Sequence, residues 1–321
     1  MKTALNVMER TDEVLAGLLA PNKHLPCKLL YDARGAELFE QICTVDAYYP
    51  TRAEVALLQQ SMTSIAAVVG PAVRVVEPGS GAGTKTRMLL AALERPRAYV
   101  PIDVSEEQLV ETAIALRADF PGVDVQPVCG DYTAPLELPA APANTARNLV
   151  FFPGSTIGNF EPEAACAFLA NLRSLVGPSS MLLLGADANN DRESLVNAYD
   201  DPEGVTAAFD LNMLTHINRT HSATFALDAF MHRAVWNAAR SRVEMHLVSR
   251  RAQTVNIADR SIRFERGEVI VTEHCYKHSP TVMASLLARA GWQLRNVFKD
   301  PQSRMHLWLA ETGASGSSGS D

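Results

Sequence analysis

From Val73 to Leu184 the chain alternates short apolar runs with segments of helical period, and this rhythm restricts the fold more than any other feature of the sequence. Val73 to Glu77, Ala98 to Ile102, Val123 to Cys129, Asn148 to Phe152 and Ser180 to Leu184 read as strands, each a brief apolar run bounded by turn residues. Helices are predicted over Thr86 to Leu93, Glu106 to Ala118 and Pro162 to Leu175. Strands that each feed a helix return parallel to their neighbours, so the expectation is an α/β fold with a parallel sheet covered on both faces.

The flanks follow other rules. Val14, Leu15, Leu18 and Leu19 share one face of a helix predicted over Met8 to Leu19, and Ala36 to Ile42 and Arg52 to Val69 read as two more, giving a helical cap in front of the sheet. After Asp187 the alternation stops: Arg192 to Ile217 is mainly helical, and Ala223 to Thr272 holds alternating segments such as Arg242 to Leu247 that suit antiparallel strands. A helix over Thr281 to Ala290 and a strand over Met305 to Ala310 return the chain to the sheet. The expected organisation is a helical N-terminal segment (1–60), a sheet domain (61–190 and 281–312), a substrate-binding α+β insertion (191–280) and a disordered Gly/Ser-rich tail (313–321).

Charge and cysteine usage remove several function classes. The net charge is −7, with no Lys/Arg run longer than a pair, so the electrostatic footprint of a nucleic-acid binder is missing. The five cysteines are scattered without CxxC pairing, which suggests neither zinc nor a disulfide framework and suits a reducing cytoplasm. No signal-peptide pattern and no apolar stretch near the roughly 20 residues of a membrane span is seen. The expectation is a cytoplasmic protein without membrane, nucleic acid, bound metal or obligate protein partner.

The first strand runs into Glu77-Pro78-Gly79-Ser80-Gly81-Ala82-Gly83-Thr84, a glycine turn between strand and helix in which Gly79, Gly81 and Gly83 permit close approach of backbone to a ligand. The spacing is GxGxG, unlike the GxGxxG of dinucleotide loops, and no GK[ST] ending follows, which disfavours nicotinamide and ATP. Asp103 ends the second strand, where a carboxylate can accept from both ribose hydroxyls. At the end of the third strand, Asp131 can accept from an adenine amino group and Tyr132 can pack on the ring. Lys85 stands ready either for a cofactor carboxylate or as a solvated helix N-terminus. Taken one by one, the glycine turn and Lys85 are as often a plain turn and a solvated charge as a site, and an Asp at a strand end is more often solvated or a cap.

In this order they resemble the class I S-adenosylmethionine-dependent methyltransferases, whose fold is a Rossmann-like sheet. Four further segments are more specific: Tyr31-Asp32-Ala33-Arg34-Gly35 with Leu38-Phe39, Tyr48-Tyr49-Pro50-Thr51-Arg52, Gly154 to Asn159 and Ala198-Tyr199-Asp200-Asp201. They resemble the histidine-specific Nα-methyltransferases of ergothioneine biosynthesis, a likeness that runs from about Leu29 to about Leu309. The resemblance implies S-adenosylmethionine as cofactor and L-histidine as acceptor, trimethylated in three transfers. It places Tyr48 and Asn159 in the amino-acid pocket, Tyr199 on the carboxylate and Tyr31 and Phe39 near the methyl. Gly154 would accept from the amine through its carbonyl, and Met245 would lie behind the ring. Glu273, in Thr272-Glu273-His274-Cys275-Tyr276-Lys277, would grip the imidazole. Cys275 departs from the family's serine, and a thiol is a weaker hydrogen-bond partner than a hydroxyl. That substitution keeps open a same-fold enzyme acting on the histidine ring or on another aromatic amino acid. A non-catalytic ligand-binding module is the alternative from a different class.

Overall fold

The computed structural model describes residues 2–81, 83–302 and 304–313, with side chains from Thr11 onward; the tail beyond Gly313 lies outside the described residues. The chain opens with α1 (Lys2–Leu19), α2 (Ala33–Ile42) and α3 (Tyr49–Val69). There follow β1 (Val73–Pro78), α4 (Thr84–Ala92), β2 (Ala98–Asp103), α5 (Glu106–Asp119), β3 (Asp124–Val125), β4 (Val128–Cys129), β5 (Arg147–Phe152), α6 (Pro162–Val176) and β6 (Met181–Asp187). Next come α7 (Arg192–Tyr199), α8 (Val205–His221), β7 (Phe230–Asn237), β8 (Arg242–Ser249), β9 (Gln253–Ile257), β10 (Arg260–Phe264) and β11 (Val269–Tyr276). The chain closes with α9 (Pro280–Arg289), β12 (Trp292–Lys299) and β13 (Met305–Thr312).

These elements form two compact units, one of residues up to Tyr49 with Asn190–Lys277, the other of Pro50–Asn189 with residues from His278 onward. The second unit holds the large sheet, in the order β12-β13-β6-β5-β1-β2-β3, with β4 continuing beside β2. β1, β2, β5 and β6 are parallel, and β13 and β12 add an antiparallel edge. Side chains alternate faces along each strand. Val73 and Val75 therefore join Leu58, Ile65, Leu89 and Leu116 of α3, α4 and α5 in one core, whereas Val76, Val150 and Phe152 join Phe168, Leu172 and Leu286 of α6 and α9 in the other.

Two details differ from the sequence reading. The run Val123 to Cys129 is two short strands, because Pro127 has no N–H to offer the ladder and interrupts pairing with β2. β12 has no counterpart in the expectation: as the edge strand it buries Trp292 but exposes Gln293 to Asn296, so no alternation marks it.

In the first unit, β11-β8-β7 form an antiparallel sheet and β9 pairs with β10 as a hairpin. Phe225, Phe230 and Phe264 pack edge-on or tilted in its core. Among the described residues no helix is long and apolar enough to cross a membrane.

Candidate active site

The strand ends of the second unit are tied together by backbone. Gly79 N–H donates to the Ile102 carbonyl at 2.7 Å, and Gly130 N–H to the Asp103 carbonyl at 2.9 Å, so the glycine loop, Asp103 and the Asp131-Tyr132 turn are fixed side by side. Gly79, Gly81 and Gly83 have φ of 70°, 50° and 72°, left-handed values that favour glycine. A Cβ on Gly79 would lie 3.5 Å from the Tyr132 ring, in ordinary contact with it, so the loop and the ring are neighbours. The Asp103 carboxylate receives the Ser105 N–H at 3.1 Å, and Asp131 receives both the N–H and the hydroxyl of Thr133. Tyr132 is fixed by tilted packing on Phe168 and edge-on packing on Phe152. Backbone tightness, two acidic strand ends and an aromatic face suit an adenosyl group carrying ribose hydroxyls and an exocyclic amine.

Two buried carboxylates under this loop escaped the sequence reading. Glu77, the last charge before the glycines, accepts from the hydroxyls of Thr86 and Tyr99, each at 2.6 Å. Burial raises its pKa to about 7, with the two hydroxyls pulling the other way. Glu54, wholly buried on α3, ion-pairs with Lys85 and accepts the Gly154 N–H on both oxygens, at 2.8 and 2.9 Å. Lys85 is thus already engaged by a protein carboxylate. Gly154 and Ser155 are consecutive left-handed residues, with φ of 85° and 58°, and lead into a single 3₁₀ turn, Thr156–Asn159, that ends on the half-buried Asn159.

The first unit gathers the remaining expected acceptor residues. Tyr31 packs edge-on against Phe39 at 5.6 Å, Phe39 against Tyr48 at 6.4 Å, and Tyr48 against Tyr199 at 5.9 Å, a continuous aromatic row. Asp32 caps α2 through the Gly35 N–H, so Tyr31 is held just outside a helix start. Met245 on β8 and Glu273 on β11 are directly paired across strands and so share a sheet face. The Cys275 thiol donates to Glu273 Oε2 at 3.1 Å. Burial first, then the charge of Glu273, holds that thiol well above its ordinary pKa, so it remains a donor.

Two supports for Tyr199 were also missed. His232 donates from one ring nitrogen to the Tyr199 carbonyl at 2.8 Å and bonds Asp210 with the other at 2.7 Å. Burial disfavours the charged ring, but the Asp210 contact outweighs it and raises the His232 pKa. Lys277 donates to the Tyr199 hydroxyl at 2.8 Å. The period of two through Glu273 and Cys275 points to Lys277, a signal available in the sequence; Glu54 and Asp210 read there as ordinary helix charges. Among the described residues no cluster of three His, Cys, Asp or Glu side chains suits a metal ion.

A mainly parallel sheet whose adjacent strand ends carry a glycine loop and two acidic positions defines an S-adenosylmethionine-dependent methyltransferase. Residues 10–312 match the model of the family described as histidine-specific methyltransferase, SAM-dependent, and the chain belongs to that family. It is 43% identical over 304 residues to a histidine N-alpha-methyltransferase of Mycolicibacterium smegmatis, covering 93% of each chain. It is 41% identical over 307 residues to the histidine N-alpha-methyltransferase of Mycobacterium tuberculosis, covering 94% of this chain and 91% of that one. Ergothioneine biosynthesis protein 1 of Neurospora crassa matches at 34% over 200 residues, 61% of this chain and 23% of the fungal protein.

Proposed function

We propose that this protein transfers methyl groups from S-adenosylmethionine to the α-amine of free L-histidine, in three successive steps ending at the betaine hercynine, within ergothioneine biosynthesis. The observation that carries the reading is the buried Glu273, paired with Met245 across the sheet and bonded by Cys275, on a unit whose aromatic row ends at Tyr199. A carboxylate at that position accepts an imidazole N–H, and a phenol donates to an amino-acid carboxylate.

When bound, S-adenosylmethionine supplies a methyl group activated on a sulfonium, leaving S-adenosylhomocysteine. Asp103 holds the ribose hydroxyls, Asp131 the adenine amine and Tyr132 the ring face, with Gly79, Gly81 and Gly83 giving the backbone room to approach. Lys85, shared with Glu54, offers its ammonium to the methionine carboxylate. On the acceptor, Glu273 grips the ring, Tyr199, Tyr48 and Asn159 serve the carboxylate end, and Met245 and Cys275 flank the imidazole. The Gly154 carbonyl accepts from the amine; the peptide before it is held by the Glu54 carboxylate on the Gly154 N–H. Tyr31 and Phe39, packed edge-on against each other, close the pocket near the methyl. The residues' contribution is positioning: methyl transfer needs the amine lone pair in line with the sulfur–methyl bond, and held geometry removes much of the entropic barrier. Five free cysteines and a −7 charge support a cytoplasmic enzyme acting on a free amino acid without nucleic acid, membrane or obligate protein partner.

Mass spectrometry of products from separate free amino acids, with fragmentation to locate each methyl, tests this. Stepwise α-nitrogen methylation confined to histidine is expected, and Glu273→Ala is expected to impair histidine use at least tenfold while leaving cofactor affinity within twofold. Ring methylation or preference for another aromatic amino acid would transfer the reading to a same-fold enzyme with a different acceptor. Cofactor binding without any product would indicate a binding module.

A further inference from the structure

The acceptor residues Tyr199, Cys275 and Glu273 belong to a row of buried polar groups that begins at Lys277. Lys277 Nζ donates to the Tyr199 hydroxyl at 2.8 Å and sits 4.6 Å from the centre of the same ring. The Tyr199 hydroxyl lies within bonding reach of the Cys275 sulfur, and the Cys275 thiol donates to Glu273 Oε2 at 3.1 Å. None of the four residues is more than 7% exposed.

The direction of these bonds is not free to reverse. An ammonium has three donors and no acceptor, so the Tyr199 oxygen must accept from Lys277 and its hydrogen must turn elsewhere. The thiol hydrogen is committed to Glu273, so towards Tyr199 the sulfur is an acceptor, and a weak one. A cation closes one end of the chain and an anion the other. Tyr199 is therefore a donor backed by a buried positive charge, with a weak acceptor, the Cys275 sulfur, beside it.

We infer that Lys277 is a specificity-determining positioning residue, which acts through Tyr199 to make the acceptor site select molecules bearing a carboxylate beside the amine. The inference rests on the functional reading above and extends it to the residue that donates to the Tyr199 hydroxyl. A carboxylate arriving at Tyr199 is a stronger recipient of the phenol hydrogen than a sulfur. It gains a charge-assisted bond in a poorly solvated place where the ammonium behind the ring acts with little screening. An acceptor without that carboxylate gains neither. The opposite end carries the complementary preference, because a thiol satisfies Glu273 less than a hydroxyl would and leaves the carboxylate a strong acceptor for a ring N–H.

The test compares L-histidine with histamine, its decarboxylated counterpart, by calorimetric titration of the intact protein in the presence of S-adenosylhomocysteine, alongside turnover of L-histidine. Wild-type protein is expected to bind L-histidine at least tenfold more tightly than histamine; equal affinities overturn the inference without any variant. Lys277→Met is expected to weaken L-histidine at least tenfold, histamine less than twofold, and S-adenosylhomocysteine not at all. Lys277→Arg, which keeps a cation at the position, is expected to recover part of the loss. Should Lys277→Met fail to fold, Lys277→Gln, which retains a donor but no charge, gives the same comparison. Parallel losses for L-histidine and histamine would mean a merely structural lysine and overturn the inference. Wild-type protein that methylates no histidine would remove the functional reading and the inference together, whereas normal turnover with unaltered L-histidine binding in Lys277→Met would remove the inference alone.

Discussion

Glu77 shows how far one residue's chemistry can be set by its surroundings. It precedes the glycine loop on β1, is 2% exposed, and has a pKa near 7 against an ordinary 4.5. Because the folded state binds this proton more tightly than the unfolded chain does, the contribution runs opposite to that of a salt-bridged carboxylate. It is fully present below pH 4.5 and is lost as pH rises through 7, a change of about 3 kcal/mol. Urea unfolding at a series of pH values is expected to show Glu77→Gln with a flatter stability profile than wild type across that window. A variant profile parallel to wild type would mean that another group carries the slope.

At the scale of elements, Glu54 joins three of them: α3, which carries it, the start of α4 through Lys85, and the turn after β5 through the Gly154 N–H. Gly185 on β6 has no side chain because a Cβ there would collide with the same carboxylate. Removing one member of a buried, hydrogen-bonded charge pair costs about 3–5 kcal/mol. Glu54→Ala is therefore expected to lower the thermal midpoint and to reduce turnover, as the turn at Gly154 loses the anchor on its N–H. Unchanged stability together with unchanged turnover would show that the turn is held by its own backbone. Most elements were legible because their apolar period is strong: β1, β2, β5 and β6 are buried along nearly their whole length. β12 was not, since an edge strand with a bulge between Leu294 and Asn296 shows no pattern of its own and exists through pairing with β13.

For the molecule as a whole, cofactor binding and folding are linked, since a ligand bound only by the folded state stabilises it by about 2.7 kcal/mol at a hundredfold excess over Kd. S-adenosylmethionine is expected to raise the wild-type melting temperature in a concentration-dependent way. Asp103→Ala is expected to lose most of that rise while melting near wild type without ligand, because the side chain is half-buried and accepts a local bond from the Ser105 N–H. An undiminished rise would displace Asp103 from the cofactor role.

Local sequence determined the α/β rhythm, the glycine turn at Gly79 to Gly83 and the acidic strand ends at Asp103 and Asp131, because short-range periodicity and glycine's access to left-handed backbone need no distant partner. It also carried the family-specific segments around Tyr48, Asn159, Tyr199 and Glu273. Only the tertiary structure decided what Glu54, Glu77, Asp210 and His232 do. Each is a polar residue in an element that could as well have faced water, and burial with a particular partner is what turns it into an anchor. The same holds for Lys277 and Cys275: their spacing from Glu273 is local, but the direction of the bonds through Tyr199, 78 residues away in the chain from Lys277, arises from folding.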